Sequence, residues 1–193
     1  MADRAPAQIE SISDGRLRRG QAKREQILQA ALRVVEQKGA TAATGRSVAA
    51  EAGVAPTLIV YHFETVENML SEALVMSNNR YIELARDAID RGEDPLKALA
   101  DMIAVSADGS RHRAVAEFQL TLQSSRNPKI RAALDAWWVA VEELLLPAVP
   151  DAAVRRATIL AADGMFLRQA VPHQAMSRAE ILEVLYTITG LTA

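Results

Sequence analysis

Cysteine is absent from the 193 residues, which excludes disulfides, thiolate metal sites and a cysteine nucleophile. Aromatic residues are scarce, at 4%. Long apolar runs are missing too. The longest stretch free of Asp, Glu, Lys and Arg is the twelve residues from Ala52 to Phe63, whereas a membrane-spanning helix needs about 20. The N-terminus has no apolar segment that would make it a signal peptide, so a cytoplasmic location with no membrane partner is expected. There is no His-Glu-x-x-His, no phosphate loop and no Gly-x-Ser-x-Gly. His62, His112 and His173 stand far apart in the chain. No catalytic residue, metal site or cofactor is expected, and an enzyme is disfavoured.

What remains is an ordinary globular composition, with 50% hydrophobic and 24% charged residues. The net charge of −2 is uneven: residues 1–70 carry +1 and residues 71–193 carry −3. The chain as a whole is therefore not a generic polyanion binder. Arg16, Arg18, Arg19, Lys23 and Arg24 nevertheless form a basic cluster with no acid among them. Such a segment fits either a solvated, disordered tail or an arm that meets phosphate.

The hydrophobic pattern predicts nine helices and no strand. Residues 1–19, with Pro6, Ser11, Ser13 and Gly15, read as disordered. A helix follows from about Gln21 to Gln37, with Ile27, Ala31, Val34 and Val35 on one face and Gly39 as its stop. Thr44 caps a two-turn helix. Ala52-Gly53-Val54-Ala55 breaks that helix, and Pro56 starts a third that ends near His62-Phe63. Thr65 caps a long fourth helix to about Asp90. Further helices are expected over 95–107, from Ser110 to about Ser125, from Asn127-Pro128 to Leu146, and from Asp151 to about Val171. The last begins at the capping box Ser177-Arg178-Ala179-Glu180 and runs to Thr189.

The unit at 45–63 has two short helices, a glycine turn and small contact residues at Ala49, Ala52 and Gly53, with Val48, Val54 and Ile59 as its apolar core. These are the requirements of a helix-turn-helix, whose second helix is free to enter the major groove. On shape alone a tight helix hairpin fits as well. The particular residues go further. Arg-x-x-Ile-Leu-x-Ala-Ala at 24–31, Gly39, Thr44, Val48-Ala49, Ala52-Gly53-Val54, Tyr61-His62-Phe63, Thr65, Glu67 and Leu70 closely resemble the DNA-binding domain of the TetR family of bacterial repressors. The resemblance covers roughly the first third of the chain.

That resemblance implies an all-α, two-domain architecture of nine helices: a basic arm at 1–19, a helix-turn-helix domain at 20–65, and a ligand-binding and dimerisation domain at 66–193. It implies that Thr44 and Arg46 reach phosphate or a base edge. Ala55, Pro56, Thr57 and Leu58 would read bases, while Tyr61 and His62 lie near phosphates and Arg16, Arg18 and Arg19 lie along the backbone or minor groove. Two positions depart from the family. Val60 stands where many members carry an aromatic residue, and Val66 where many carry Lys. Neither valine can bond phosphate, so that contact shifts to Arg46, the arm and the amides at the start of the fourth helix.

The two last helices resemble the pair that forms a four-helix dimer bundle. Ala157, Ala161 and Gly164 allow close approach, and Ile181 and Leu185 supply apolar area. Within the second domain, Asn78, Tyr81, Met102, Phe118, Leu122, Gln123, Trp138, Met165 and Phe166 mix apolar surface with a few polar groups, as ligand sites do; plain core packing would also account for any one of them. The expected protein is a homodimeric transcriptional regulator, a repressor released from pseudo-palindromic double-stranded operator DNA by a small-molecule effector. The alternative is a small-molecule-binding or interaction protein of the same fold with weakened DNA binding.

Overall fold

The computed structural model describes residues 6–105, 111–122, 127–171 and 173–192, with the side chains of 6–17, 105 and 111–114 left aside. The helices are α1 (Pro6–Lys38), α2 (Gly45–Ala52), α3 (Pro56–Phe63), α4 (Val66–Asp90), α5 (Pro95–Val105), α6 (Arg111–Leu122), α7 (Pro128–Leu145), α8 (Ala152–Ala170) and α9 (Arg178–Thr189). A 3-10 turn at Ala40–Ala42 joins α1 to α2. Among the described residues there is no strand, and no helix is long and apolar enough to cross a membrane.

The ends of these helices follow from local chemistry. Thr44 Oγ1 accepts from the Ser47 amide, and Ser47 Oγ accepts from the Thr44 amide, closing a reciprocal capping box on α2. Ser177 and Glu180 do the same for α9. Asp151 and Asn127 accept amides at the starts of α8 and α7, and Thr65 accepts from Asn68 at α4. Gly53 closes α2 with φ +62°, a left-handed conformation that side chains disfavour.

The first helix departs from expectation. It begins at Pro6 rather than near Gln21, so residues 6–19 are helical, not disordered. Extending an existing helix avoids the cost of nucleation. The segment is rich in helix formers such as Ala7, Gln8, Glu10, Leu17 and its arginines, which outweigh Gly15 and Gly20 at about 1 kcal/mol each. The expected start at Ser110 and end at Ser125 of α6 lie outside the described residues.

Two cores organise the chain. The first is built on α1, through Ile27, Ala31 and Val34, with Val48, Ile59 and Phe63 from α2 and α3. It also takes Met69, Leu70, Ala73 and Leu74 from the first half of α4, Ala116 and Leu120 from α6, and Ile130 and Leu134 from α7. The second core joins Tyr81, Ile82 and Ala85 of α4 to Leu96 and Ile103 of α5, Val141 and Leu145 of α7, Met165 of α8, and Ile181 and Leu185 of α9. Helix α4 therefore belongs to both. Arg155, on the first turn of α8, is buried, donating to the Val149 and Pro150 carbonyls of the turn after α7 and pairing with Glu142 at 3.0 Å.

Leu120 sits on α6 yet is fully buried in the core that supports α2 and α3. Leu120→Ala is expected to destabilise the protein by about 2–5 kcal/mol. Urea denaturation followed by circular dichroism measures this, and a loss below about 1 kcal/mol would contradict the packing.

Candidate nucleic-acid interface and ligand cavity

Helices α2 and α3 meet through Val48, Ala49, Ala52, Ile59 and Phe63, all buried. That leaves one face of α3 outward, made of Pro56, Thr57, Val60 and Tyr61, with Ala55 exposed ahead of it. Val60 is 65% exposed and Tyr61 78%. Leu58, expected to read bases, instead packs against the first core. The 3.6-residue period turns it about 160° from the outward-facing Val60. Val60, set aside as a departure, is the apolar side chain that this face presents. His62 is half-buried and meets the Tyr61 ring edge-on at 5.0 Å.

Arg46 is exposed on the first turn of α2, and no ion pair with it occurs among the described residues. The Thr44 hydroxyl is exposed while serving as the α2 cap. Val66 is half-buried against the first core and borders a shallow groove with Arg46, Val60 and Glu64. Glu64, joining α3 to α4, holds φ +63°, a strained value for a residue with a side chain. Of the basic cluster, Arg18 and Arg19 are exposed on α1. Arg24 is used internally: it pairs with Glu72, and its guanidinium lies 4.9 Å from the centroid of Phe63. The Arg16 side chain lies outside the described residues.

A cavity of about 230 Å³ lies where α4, α6, α7 and α8 converge. Its walls are Leu74, Asn78 and Tyr81 of α4, Glu117, Phe118 and Thr121 of α6, Leu134, Trp137 and Trp138 of α7, and Asp163 and Phe166 of α8. Tyr81, Trp137 and Phe166 pack edge to face, with centroids 6.2–6.3 Å apart. Trp138 stands at the rim, 45% exposed, and its Nε1 donates to Asp163 Oδ2 at 3.2 Å. Burial pushes the Asp163 carboxyl above its ordinary range, and the indole hydrogen bond holds it partly back. The Ser77 hydroxyl donates to Glu117 Oε1 at 2.5 Å.

Five of the expected ligand residues therefore line this cavity: Asn78, Tyr81, Phe118, Trp138 and Phe166. Met102 and Met165 do not; both are buried in the second core, as flexible apolar side chains often are. Leu122 does not either, being 77% exposed at the end of α6. Gln123 lies outside the described residues. Leu74, Glu117, Thr121, Leu134 and Asp163 were not anticipated. Asp163 left one trace in the sequence, an acid set inside the run of small residues Ala161-Ala162-Asp163-Gly164. Both tryptophans border the cavity because α7 runs along its wall, so adjacent side chains meet it from two sides.

On the outer face of α8, Ala157 and Gly164 are exposed and Ala161 half-exposed, beside Leu160 at 65% and Leu167. Ile181 and Leu185 are not on a free face. Both are fully buried in the second core of their own chain. The pair is one turn apart on α9 and faces inward, leaving Glu183 and Thr187 outside.

A hydrogen bond joins the helix of the cavity wall to the turn ahead of the helix-turn-helix. Gln119, next to Phe118 on α6, accepts the Ala40 amide through Oε1 at 2.8 Å. Ala40 opens the 3-10 turn that leads into α2.

Asp163 also makes a stability prediction. Its raised pKa means that the folded state holds this proton more tightly than the unfolded state, so stability falls as pH rises from the ordinary value of 3.8 through the raised one. Asp163→Asn keeps an oxygen for Trp138 and removes the half-buried charge. The variant is expected to melt above the wild type at pH 7 and to match it below pH 3.8. Thermal melts at the two pH values check this; a wild type that melts higher at pH 7 would contradict it.

Known proteins resemble the chain along its length. Residues 27–73 match the family described as bacterial regulatory proteins, tetR family. Residues 90–190 match the tetracyclin repressor-like, C-terminal domain. The HTH-type transcriptional regulator BetI of Brucella anthropi is 32% identical over 94 residues, an alignment spanning 46% of each protein, so the match covers about half of that relative. A crystallised TetR-family member from Streptomyces coelicolor is 30% identical, with a TM-score of 0.74 over 88% of this chain and 99% of the other. The multidrug binding protein EbrR complexed with ethidium is 30% identical, with a TM-score of 0.70 over 86% and 97% of the two chains.

Proposed function

The chain belongs to the tetR family of bacterial regulatory proteins, and on that premise we propose that it is a homodimeric repressor that releases operator DNA when a small molecule enters the cavity. The observation that carries this is the position of α6. Phe118 lines the cavity, and the adjacent Gln119 holds the turn ahead of α2. Helix α4 is a second link. Leu74, Asn78 and Tyr81 border the cavity, while Val66, twelve residues and about 18 Å before Asn78 along the axis, borders the DNA-facing groove. A ligand that shifts either helix re-aims α2 and α3. A small change in the spacing of two recognition helices is enough to lower affinity for a two-fold site. The complex of EbrR with ethidium supports a small aromatic molecule as the effector of this chain too.

On DNA, Thr57 and Tyr61 offer single hydrogen bonds, while Pro56 and Val60 offer apolar surface to thymine methyls. Arg46 supplies charge for a phosphate or a bidentate grip on guanine. Arg18 and Arg19 continue along α1, so the basic arm is a helical extension rather than a loose tail. The exposed strip Ala157, Leu160, Ala161, Gly164 and Leu167 is the dimer surface, packing two copies of α8 through small residues and two leucines.

Gel shifts with the DNA flanking its own gene test the reading. Arg46→Ala is expected to weaken binding and to lower the slope of log K against log salt by about 1.8 for a dimer if each arginine neutralises one phosphate. If it reads a base instead, about 1–3 kcal/mol of discrimination is lost at one position. Leu160→Arg is expected to give a monomer by light scattering and to abolish the shift. A dimeric Leu160→Arg protein would move the interface elsewhere. Ligand binding with no shift on any fragment would favour a small-molecule-binding protein of the same fold.

The coupling is tested separately. Gln119→Leu leaves the Ala40 amide without its acceptor, a loss of about 1–3 kcal/mol. Effector binding is expected to persist, while effector-driven release of DNA falls. Equal release by variant and wild type would assign the coupling to α4 alone.

A further inference from the structure

We propose that the cavity selects a small planar organic cation, with Asp163 as its counter-charge and Trp138 as the side chain that gives up its hydrogen bond to Asp163 when the cation enters. The proposal rests on reading the cavity as the effector site and goes beyond it by naming the charge of the ligand and the residue that senses it.

Three observations support it. First, the described walls hold two carboxylates, Asp163 and Glu117, and no lysine, arginine or histidine. An anion entering beside Asp163 meets like charge. Second, no basic side chain among the described residues lies within ion-pair distance of Asp163. Its hydrogen bond comes from a neutral indole N–H. A half-buried carboxylate without a cation carries a desolvation cost, and the raised proton affinity of Asp163 reflects that cost. A ligand cation removes that cost, whereas a neutral ligand leaves it in place. Third, Tyr81, Trp137 and Phe166 pack edge to face, and the faces of such rings attract cations.

Size and access narrow the ligand further. At about 230 Å³ the cavity lies below the common range of about 300–1,000 Å³ for small-molecule sites. That admits a compound of two or three fused rings. Trp138 is at the rim, so breaking its bond to Asp163 frees the carboxylate and an indole face at one stroke. The half-exposed Trp138 then covers the bound ring.

The test uses the full-length purified protein and two dyes that share one tricyclic skeleton at pH 8. Proflavin is cationic there and acridine is neutral. Dye fluorescence and tryptophan quenching report binding. The wild type is expected to bind proflavin at least about tenfold more tightly than acridine, which corresponds to about 1.4 kcal/mol. Asp163→Asn is isosteric and is expected to remove most of that difference by weakening proflavin and sparing acridine. Trp138→Phe, which lacks the competing N–H, is expected to keep the preference for the cation. Phe166→Leu is expected to weaken both dyes, as a wall residue should. If Asp163→Asn alters neither affinity while Phe166→Leu lowers both, the cavity is the ligand site and the charge assignment is wrong. If proflavin binding is indifferent to both substitutions, the dye sits elsewhere and the cavity reading falls with the proposal. A wild type that prefers acridine, or binds neither dye, also overturns it.

Discussion

The arrangement depends on one helix being buried by two cores. The first half of α4 gives Met69, Leu70, Ala73 and Leu74 to the core under the helix-turn-helix. The second half gives Tyr81, Ile82 and Ala85 to the core shared by α5, α7, α8 and α9. Cores of this kind are close-packed and resist gradual deformation. A displacement imposed on α4 at the cavity is therefore passed along a stiff rod to its N-terminus. The cavity lies at the level where the two cores meet, bordered by Leu74 from one and by Tyr81 from the other.

Helix α6 ties the same two regions by a different kind of bond. Leu120 anchors it in the first core, Gln119 binds the backbone ahead of α2, and Phe118 turns into the cavity. Three consecutive residues on a helix point about 100° apart, which is how one turn serves three neighbours. The hydrogen bond to Ala40 is directional, whereas the apolar contacts of α4 are not. A rotation of α6 breaks the first more readily than it breaks the second.

Charge is distributed to match these roles. Arg24, Arg33 and Arg155 are engaged in structural contacts with Glu72, Glu51 and Glu142. Arg46 has no such pair among the described residues and stays outward. Among the described walls of the cavity the charged side chains are Asp163 and Glu117. The outward side of α3 carries few hydrogen-bonding groups, with Val60 at its centre, and the exposed cation beside it is Arg46.

Helix positions and their ends were legible in the sequence because they arise from contacts between residues three or four apart. The caps at Thr44, Thr65, Asp151 and Ser177, the proline starts at Pro56 and Pro128, and the left-handed Gly53 all follow from neighbours along the chain. The helix-turn-helix was legible for the same reason. The start of α1 was not, since Pro6 and Gly15 suggested a break that continuation of a formed helix overrides. Which face of each helix is buried against what was decided only by tertiary structure. Ile181 and Leu185 have the spacing of an interface pair yet fill their own core, and Met102 and Met165 look like pocket residues yet sit behind the wall. Asp163 is half-buried, which pushes its carboxyl up, and the hydrogen bond that opposes this shift comes from Trp138 on α7, 25 residues earlier. Local patterns specify a helix and its apolar stripe, but a cavity is the space left where four such stripes fail to meet, and that depends on all four at once.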